Sequence, residues 1–585
     1  MNFRGDSPYL LPADFSLVLT QQSGYLSFMT QTNIVLCLVG LFFCLSCKTE
    51  KQDPEPAEQF SYKSVQVNGQ TSAGLSYRNV SRTPTIRLAF TVPVSQQSAK
   101  TAIQLTEKGT AQPVSLSYAF GAADTVVTLT PLNTLKPLTA YTVSVQPTLT
   151  SQRSTTLSST LTVSLTTALD STDKFSRISD EALLDLVQKQ TFKYFWDFGH
   201  PVSGMARERN SSGDVVTSGG TGFGVMAIVM AVNRNFISRQ EGLTRLTKLT
   251  SFLTNNAKRY HGAFPHWLNG ATGATVPFSA KDDGADLVET SYLMQGLLTA
   301  RQYFNSTTNT DEIALRKTIN DLWNGVEWNW FTKSGAETNL YWHWSPNFNW
   351  DMNQPIRGWN EALITYVLAA SSNTSAIQKT VYDNSWAQNG KMANGNSYYG
   401  IKLPLGPAYG GPLFFSQYSF LAINPHDLKD TYADYWQQNT AHSLINYTYC
   451  KTNPKQFSGY SADCWGLTAS DEQNGYSAHE PNNDNGTISP TAALSSMPYT
   501  PTESMQALRF FYYKLGDKIW KDQGFVDAFN LTNLWFADSY LAIDQGPIII
   551  MIENQRSSLL WNLFMSCPEI KKGMKTLGFQ SPNLN

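Results

Sequence analysis

The chain has 585 residues, with 43 Lys plus Arg against 45 Asp plus Glu and a formal net charge of −2. That balance excludes a surface built on bulk positive charge, and with it nucleic acid as a partner. Charged residues make up only 15 % and aromatics 12 % of the chain, so it buries ample apolar area and is not intrinsically disordered.

The first feature in chain order is an apolar run over 34–45, IVLCLVGLFFCL. It is shorter than the ~20 residues that span a bilayer but fits the core of an export signal. Ser46, Cys47 and the polar stretch KTEKQDPEPAEQ follow, which resembles a bacterial lipoprotein cleavage site with Cys47 lipidated. Residues 1–47 are therefore expected to be a signal segment, with Met29 as the true start, and 48–59 a linker. The expected location is outside the cytoplasm, anchored to the outer membrane by lipid. Beyond Cys47 stand only Cys450, Cys464 and Cys567, too few for a disulfide framework, although Cys450 and Cys464 could close a short loop.

Residues 60–168 read as all-β. Runs such as TIRLAFTV, TVVTLTP, AYTVSVQ and LTVSLTT alternate apolar and polar residues between turn-forming segments, the pattern of a sandwich. The phrases TPTIRLAFTVPV and VVTLTPLNTLKPLTAYTVSV resemble bacterial Ig-like domains. With few carboxylates, this part reads as a spacer or accessory module.

From 175 to 585 the period changes to that of helices. EALLDLVQKQTFKYFWDFG, GFGVMAIVMAVNRNF, LTRLTKLTSFLTNNAKRY and PTESMQALRFFYYKLG carry apolar residues at i, i+3, i+4 and i+7. Two segments, DLVETSYLMQGLL and GPIIIMIENQRSSLLWNLF, are apolar nearly all round, which marks helices covered on every side. Ten to twelve helices joined by long Gly-, Trp- and Asn-rich loops predict an all-α, double-layered barrel. GGTGFG at 219–224 lacks dinucleotide-binding spacing, and no P-loop, G-x-S-x-G or HExxH occurs. No metal and no cofactor is expected.

Asp286 and Glu289, at i and i+3 in KDDGADLVETSYLM, share one helix face, with Asp282 one turn upstream. N-capping explains Asp282 or Asp283 but explains Glu289, beside Val288 and Leu293, poorly. Glu361 in RGWNEALITY and Asp544 before the most apolar helix are further candidates. Glycoside hydrolysis needs two carboxyl groups, a proton donor and a base or nucleophile. Around them lie candidate sugar-binding residues: His266, Trp267 and Asn269 in HGAFPHWLNG, Trp342, His343 and Trp344 in YWHWSPNFNW, Arg357 and Trp359 beside Glu361, and Tyr409 in PAYGG. Aromatic faces stack on pyranose rings and polar side chains bond the hydroxyls.

Five long motifs, among them HGAFPHWLNGATGATVPFSAKDDGADLVETSYLMQGLLTARQYF, RGWNEALITYVLAASS and YLAIDQGPIIIMIENQRS, together resemble the bacterial glucoamylase-like family that includes the family 144 β-1,2-glucanases. The resemblance implies an (α/α)6 barrel, no obligatory metal, and hydrolysis of β-1,2-glucan with inversion. It matches Asp282, Asp286, Glu289, Glu361 and Asp544 as the acidic set. The expectation is therefore a monomeric glycoside hydrolase releasing sophorose or short sophorooligosaccharides from a β-glucan. The alternatives are an exo-acting glucosidase on another linkage and a non-catalytic glycan-binding lipoprotein. Burial favours Glu289 as proton donor, with Glu361 competing but opposed by the charge of Arg357. Asp286, favoured in its charged form by the helix start, or Asp544 would be the base.

Overall fold

The computed structural model describes residues 57–110 and 112–585. The expected signal segment and Cys47 lie outside the described residues. Eight strands form the first domain: β1 (Tyr62–Val67), β2 (Ser76–Val80), β3 (Ile86–Phe90), β4 (Ile103–Glu107), β5 (Leu116–Gly121), β6 (Val126–Pro131), β7 (Ala140–Val145) and β8 (Leu161–Thr167). They make two four-stranded sheets, ordered β1-β3-β6-β5 and β2-β8-β7-β4. In β8, Leu161, Val163 and Leu165 are buried while Thr162 and Ser164 are exposed, so the alternation in LTVSLTT becomes one wall of the core. A short helix, α1 (Gln96–Ala102), bridges the sheets and is capped by Ser95.

The remainder is helical. Outer and inner helices alternate along the chain: α2 (Asp180–Trp196), α3 (Ser218–Asn233), α4 (Arg239–Asn255), α5 (Leu287–Tyr303), α6 (Thr310–Asn324) and α7 (Leu363–Ser371). Then come α8 (Tyr435–Thr452), α9 (Pro501–Tyr513), α10 (Ala542–Ser557), α11 (Leu559–Met565) and α12 (Pro568–Leu577). In α3 every residue from Ser218 to Val232 is buried, and α5 is buried from Leu287 to Arg301. By contrast α4 and α6 bury one stripe and expose the other. α3 packs between α5 and α10.

The glycines of GGTGFG serve this packing. A Cβ on Gly222 would lie 1.9 Å from the Tyr292 carbonyl oxygen, and one on Gly296 would lie 2.1 Å from that of Gly222. The backbones of α3 and α5 touch where no side chain fits.

Three expectations need correction. The helical region is not purely α: short antiparallel pairs join Val215–Thr217 to Trp267–Asn269, Ala285–Asp286 to His343–Trp344, and Ala469–Glu472 to Gly475–Ala478. They satisfy backbone groups of the long loops, which helices alone would leave unpaired. The segment GPIIIMIENQRSSLLWNLF is two helices, because Ser558 adopts a left-handed conformation at φ 56° and the chain turns there. Cys450, Cys464 and Cys567 are all buried free thiols, so Cys450 and Cys464 close no loop. Among the described residues, no helix is long and apolar enough to cross a membrane.

Candidate active site

Inner helices α3, α5 and α10 begin at the same end of the helical domain. A Cβ on Gly219 would lie 2.5 Å from Glu289 Oε2, and one on Gly220 would lie 2.5 Å from Ala542 Cβ. The turn before α7 joins them, because Tyr292 of α5 donates to the Glu361 carbonyl at 3.4 Å. Helix starts concentrate partial positive charge, so this end suits carboxylates.

Asp286 is the N-cap of α5. Its Oδ1 accepts the backbone N–H groups of Val288 (3.0 Å) and Glu289 (2.9 Å). Its Oδ2 lies 3.1 Å from His266 Nδ1, 3.3 Å from Trp342 Nε1 and 3.6 Å from His343 Nε2. The cap is thus Asp286, not Asp282 or Asp283 where capping is expected from sequence, because the helix begins at Leu287. Burial opposes its charge, but the His266 hydrogen bond and the neighbouring imidazoles hold the carboxyl below its ordinary value.

Glu289 sits in the first turn of α5. Its Oε2 accepts the Gly219 N–H at 2.8 Å and the Thr217 hydroxyl at 3.2 Å, and its Oε1 is 4.0 Å from His266 Nε2. Burial, joined by the charge of Asp286, pushes its carboxyl up against those partners. Asp282 is pushed up to about 7 by burial and then by Asp286. Its Oδ2 is 3.2 Å from His343 Nε2, while its Oδ1 is buried without a hydrogen-bond partner. Burial lowers His343 to about 4, so that ring is neutral. Burial also opposes the charge of His266, but Glu289 and Asp286 raise it to about 9, so this ring carries a proton. His266, Asp282 and Asp286 offer atoms within 4.8 Å of one another, a spacing a metal ion could span. In the structure that space is bridged by the His266–Asp286 hydrogen bond.

Glu361 lies two residues before α7, where Asn360 Oδ1 accepts the Ala362 N–H at 2.9 Å. Burial raises its carboxyl to about 7, with Glu289 and Asp286 adding to the rise. Arg357 is exposed and is not among the charges acting on it, so the opposing effect expected from sequence proximity is absent.

Asp544 lies in the first turn of α10, only 2 % exposed, but its charged neighbours are Asp527, Asp471 and Arg209 rather than the other candidates. Asp282, Asp286 and Glu289 thus act on one another, Glu361 feels the charges of Glu289 and Asp286, and Asp544 belongs to a second cluster across α3.

The aromatic residues divide. Trp342 is half-buried and bonds Asp286, and Trp267 is half-buried beside His266, with Phe278 stacked on that ring at 4.2 Å. Trp344 pairs with Ala285 rather than Asp286, so its ring lies on the opposite face of that strand pair, against Tyr260, His261 and Trp330, and not among the carboxylates as expected. Trp359 is only 5 % exposed and packs against Trp386, Phe420 and Tyr435, so both its faces are used by the core. Tyr409 packs on Tyr398 and Tyr399 in a small satellite cluster. Asn269 Oδ1 accepts the Ala271 and Thr272 N–H groups and holds its own turn. Sequence reasoning missed Thr217 and Gly219, which reach Glu289 from 70 residues away, and it missed Asp527, a lone acid in the apolar run GFVDAF.

Buried carboxyl groups of unlike protonation beside Trp267 and Trp342 are the equipment of glycosidic bond cleavage; glycoside hydrolase is the class the fold and site define. Comparison with known proteins narrows this. A family model described as "Putative glucoamylase" matches residues 353–568, and one for the bacterial Ig-like domain matches 65–167. An endo-β-1,2-glucanase from Chitinophaga pinensis, of known structure, is 52 % identical with a TM-score of 0.68, covering 70 % of this chain and 100 % of its own. A β-1,2-glucanase structure from Parabacteroides distasonis is 38 % identical with a TM-score of 0.67, covering 88 % of this chain and 72 % of that one. An exo β-1,2-glucooligosaccharide sophorohydrolase from the same species is 47 % identical over 421 residues, 68 % of this chain; the chain spans 58 % of that relative's length. The chain belongs to this glucoamylase-like family.

Proposed function

We propose that the protein hydrolyses β-1,2-glucan to sophorose or short sophorooligosaccharides, with inversion, at the mouth of an (α/α)6 barrel. The observation that carries this reading is the set of buried carboxyl groups Asp282, Asp286, Glu289 and Glu361 beside half-buried Trp267 and Trp342, in a chain about half identical to β-1,2-glucan hydrolases.

Glu361 is the proton donor. Its carboxyl is raised to about 7 by burial, so it holds a proton near neutrality and can give it to the leaving oxygen. Glu289 is the carboxylate that activates water. The Gly219 N–H and Thr217 hydroxyl donate to its Oε2, which favours the charged form and leaves Oε1 for the reaction, so Glu289 takes the base role and not the donor role expected from its burial in the sequence. Asp286, with five donor atoms around its two oxygens, orients His266, Trp342 and the start of α5 rather than touching water.

In an inverting reaction water adds to the anomeric carbon as the glycosidic oxygen takes the donor's proton, and the water's proton passes to the base. The test of substrate is a panel of glucans differing in linkage, with products separated by size. Sophorooligosaccharides from β-1,2-glucan alone support the reading; turnover of another linkage only overturns it.

Export by lipidation at Cys47 is part of this proposal, supported by the apolar run, the small residue before Cys47 and the polar linker after it.

A further inference from the structure

The second acidic cluster is built as tightly as the first. Arg209 contacts both Asp471 carboxylate oxygens at 3.1 and 3.2 Å and bonds Glu208 at 3.0 Å. The backbone N–H of Asp471 donates to Asp527 Oδ2 at 2.6 Å. Asp527 itself is pinned by its own main chain: its N–H donates to the Ser539 carbonyl at 3.0 Å, and its carbonyl accepts the Ser489 hydroxyl at 2.7 Å. Asp544 is pinned likewise, with its carbonyl accepting the Thr491 hydroxyl at 2.8 Å. The next residue, Gln545, bonds the Phe525 carbonyl at 2.8 Å, which ties the start of α10 to the Asp527 segment.

Asp527 and Asp544 are each 2 % exposed and in side-chain contact. Asp527 Oδ1 and both oxygens of Asp544 are buried with no donor from the rest of the protein. Two carboxylates cannot bond each other without a proton, and three buried acceptor oxygens with no donor are costly.

We propose that Asp527 and Asp544 share one proton, and that Asp527 is a positioning residue which keeps Asp544 a neutral hydrogen-bond donor beside the active site. The inference rests on the hydrolase reading only for the role of Asp544 in turnover. Its physical content, one proton held between two acids, stands apart from it. The groups facing the pair are Asp471, Arg209 and Glu208, with Tyr194 beyond them. Burial and the charge of Asp471 raise Asp527 to about 7, and burial with the charge of Asp527 raises Asp544 well above the ordinary carboxylate range. A proton placed there makes Asp544 unsuited to the resting-state base role expected from sequence.

The pair retains a proton that the unfolded chain releases near pH 4, so stability falls as pH rises from about 4 until the pair ionises. Asp527→Asn and Asp544→Asn each remove the need for that proton. The experiment measures unfolding free energy of the full chain between pH 4 and 8. Each variant is expected to flatten the slope by up to one proton, and the double variant no further. Additive flattening, or slopes identical to the unmodified protein, would overturn the proton-sharing claim. If Asp527→Asn does not fold, counting protonated carboxyl stretches by infrared at pH 7 in Asp544→Asn decides instead, one band fewer being expected and no change overturning it. For the positioning role, the pH profile of kcat/KM on β-1,2-glucan should shift in Asp527→Asn; an unmoved profile overturns that role. If the unmodified protein cleaves no β-1,2-glucan, the functional reading fails while the stability slopes still decide the pair.

Discussion

Gly219 carries no side chain because Glu289 occupies the place where one would go. A Cβ there would stand 2.5 Å from Oε2, and moving the carboxylate would also break the 2.8 Å bond from the Gly219 N–H. Gly219→Ala is therefore expected to lower kcat by tenfold or more, each tenfold being about 1.4 kcal/mol in barrier, with a much smaller change in Tm. Equal kcat in steady-state kinetics would contradict the place given to Glu289. The role of Glu361 makes a second prediction. A donor must be protonated, and burial holds this carboxyl near 7, so kcat/KM should fall as pH rises through about 7. Glu361→Gln should slow cleavage of a poor leaving group far more than of an activated aryl one, whereas Glu289→Gln should slow both; the reverse pattern would exchange the two roles. At this scale the sequence was half legible. An acid inside an apolar helix already marked Glu289. Arg357 and Trp359, adjacent to Glu361 in the chain, turned out to be exposed and in the core, because neighbours in a turn point in different directions. Asp527 was hidden because its partner stands 17 residues further on.

Among elements, the crossing of α3 and α5 decides where the carboxylates stand. The all-round apolar character of α5 is readable in the sequence, since an inner helix has no solvent face, whereas α3 reads there as a one-faced helix and is in fact buried from Ser218 to Val232. The close approach is not readable, because glycine spacing has meaning only once the facing helix is known. Gly222→Ala puts a methyl 1.9 Å from the Tyr292 carbonyl oxygen and must drive the helices apart. Overpacking costs about 1–3 kcal/mol and more where backbone must move. Denaturant unfolding of Gly222→Ala should show at least that loss, with activity lost alongside; wild-type stability would mean the crossing is looser than described. The break at Ser558 escaped periodicity analysis because an apolar run continues across it.

For the whole molecule, two separate hydrophobic cores, one in the sandwich and one in the helical domain, indicate that the second can stand alone. A chain of 175–585 is expected to fold and to keep its activity on soluble glucan; loss of turnover with intact folding would give the sandwich a part in binding. The Cys47→Ser protein should move from the membrane to the soluble fraction, and retention there would point to another anchor. The central claim is that the buried carboxyl groups at the inner-helix starts, with Glu361 as donor and Glu289 as base, cleave β-1,2-glucan. Its most direct test is the release of reducing ends from linear β-1,2-glucan by the purified protein and by Glu361→Gln. The account predicts steady release of sophorooligosaccharides by the first and at least a hundredfold slower release by the second. No release by the unmodified protein, or equal release by both, would contradict it.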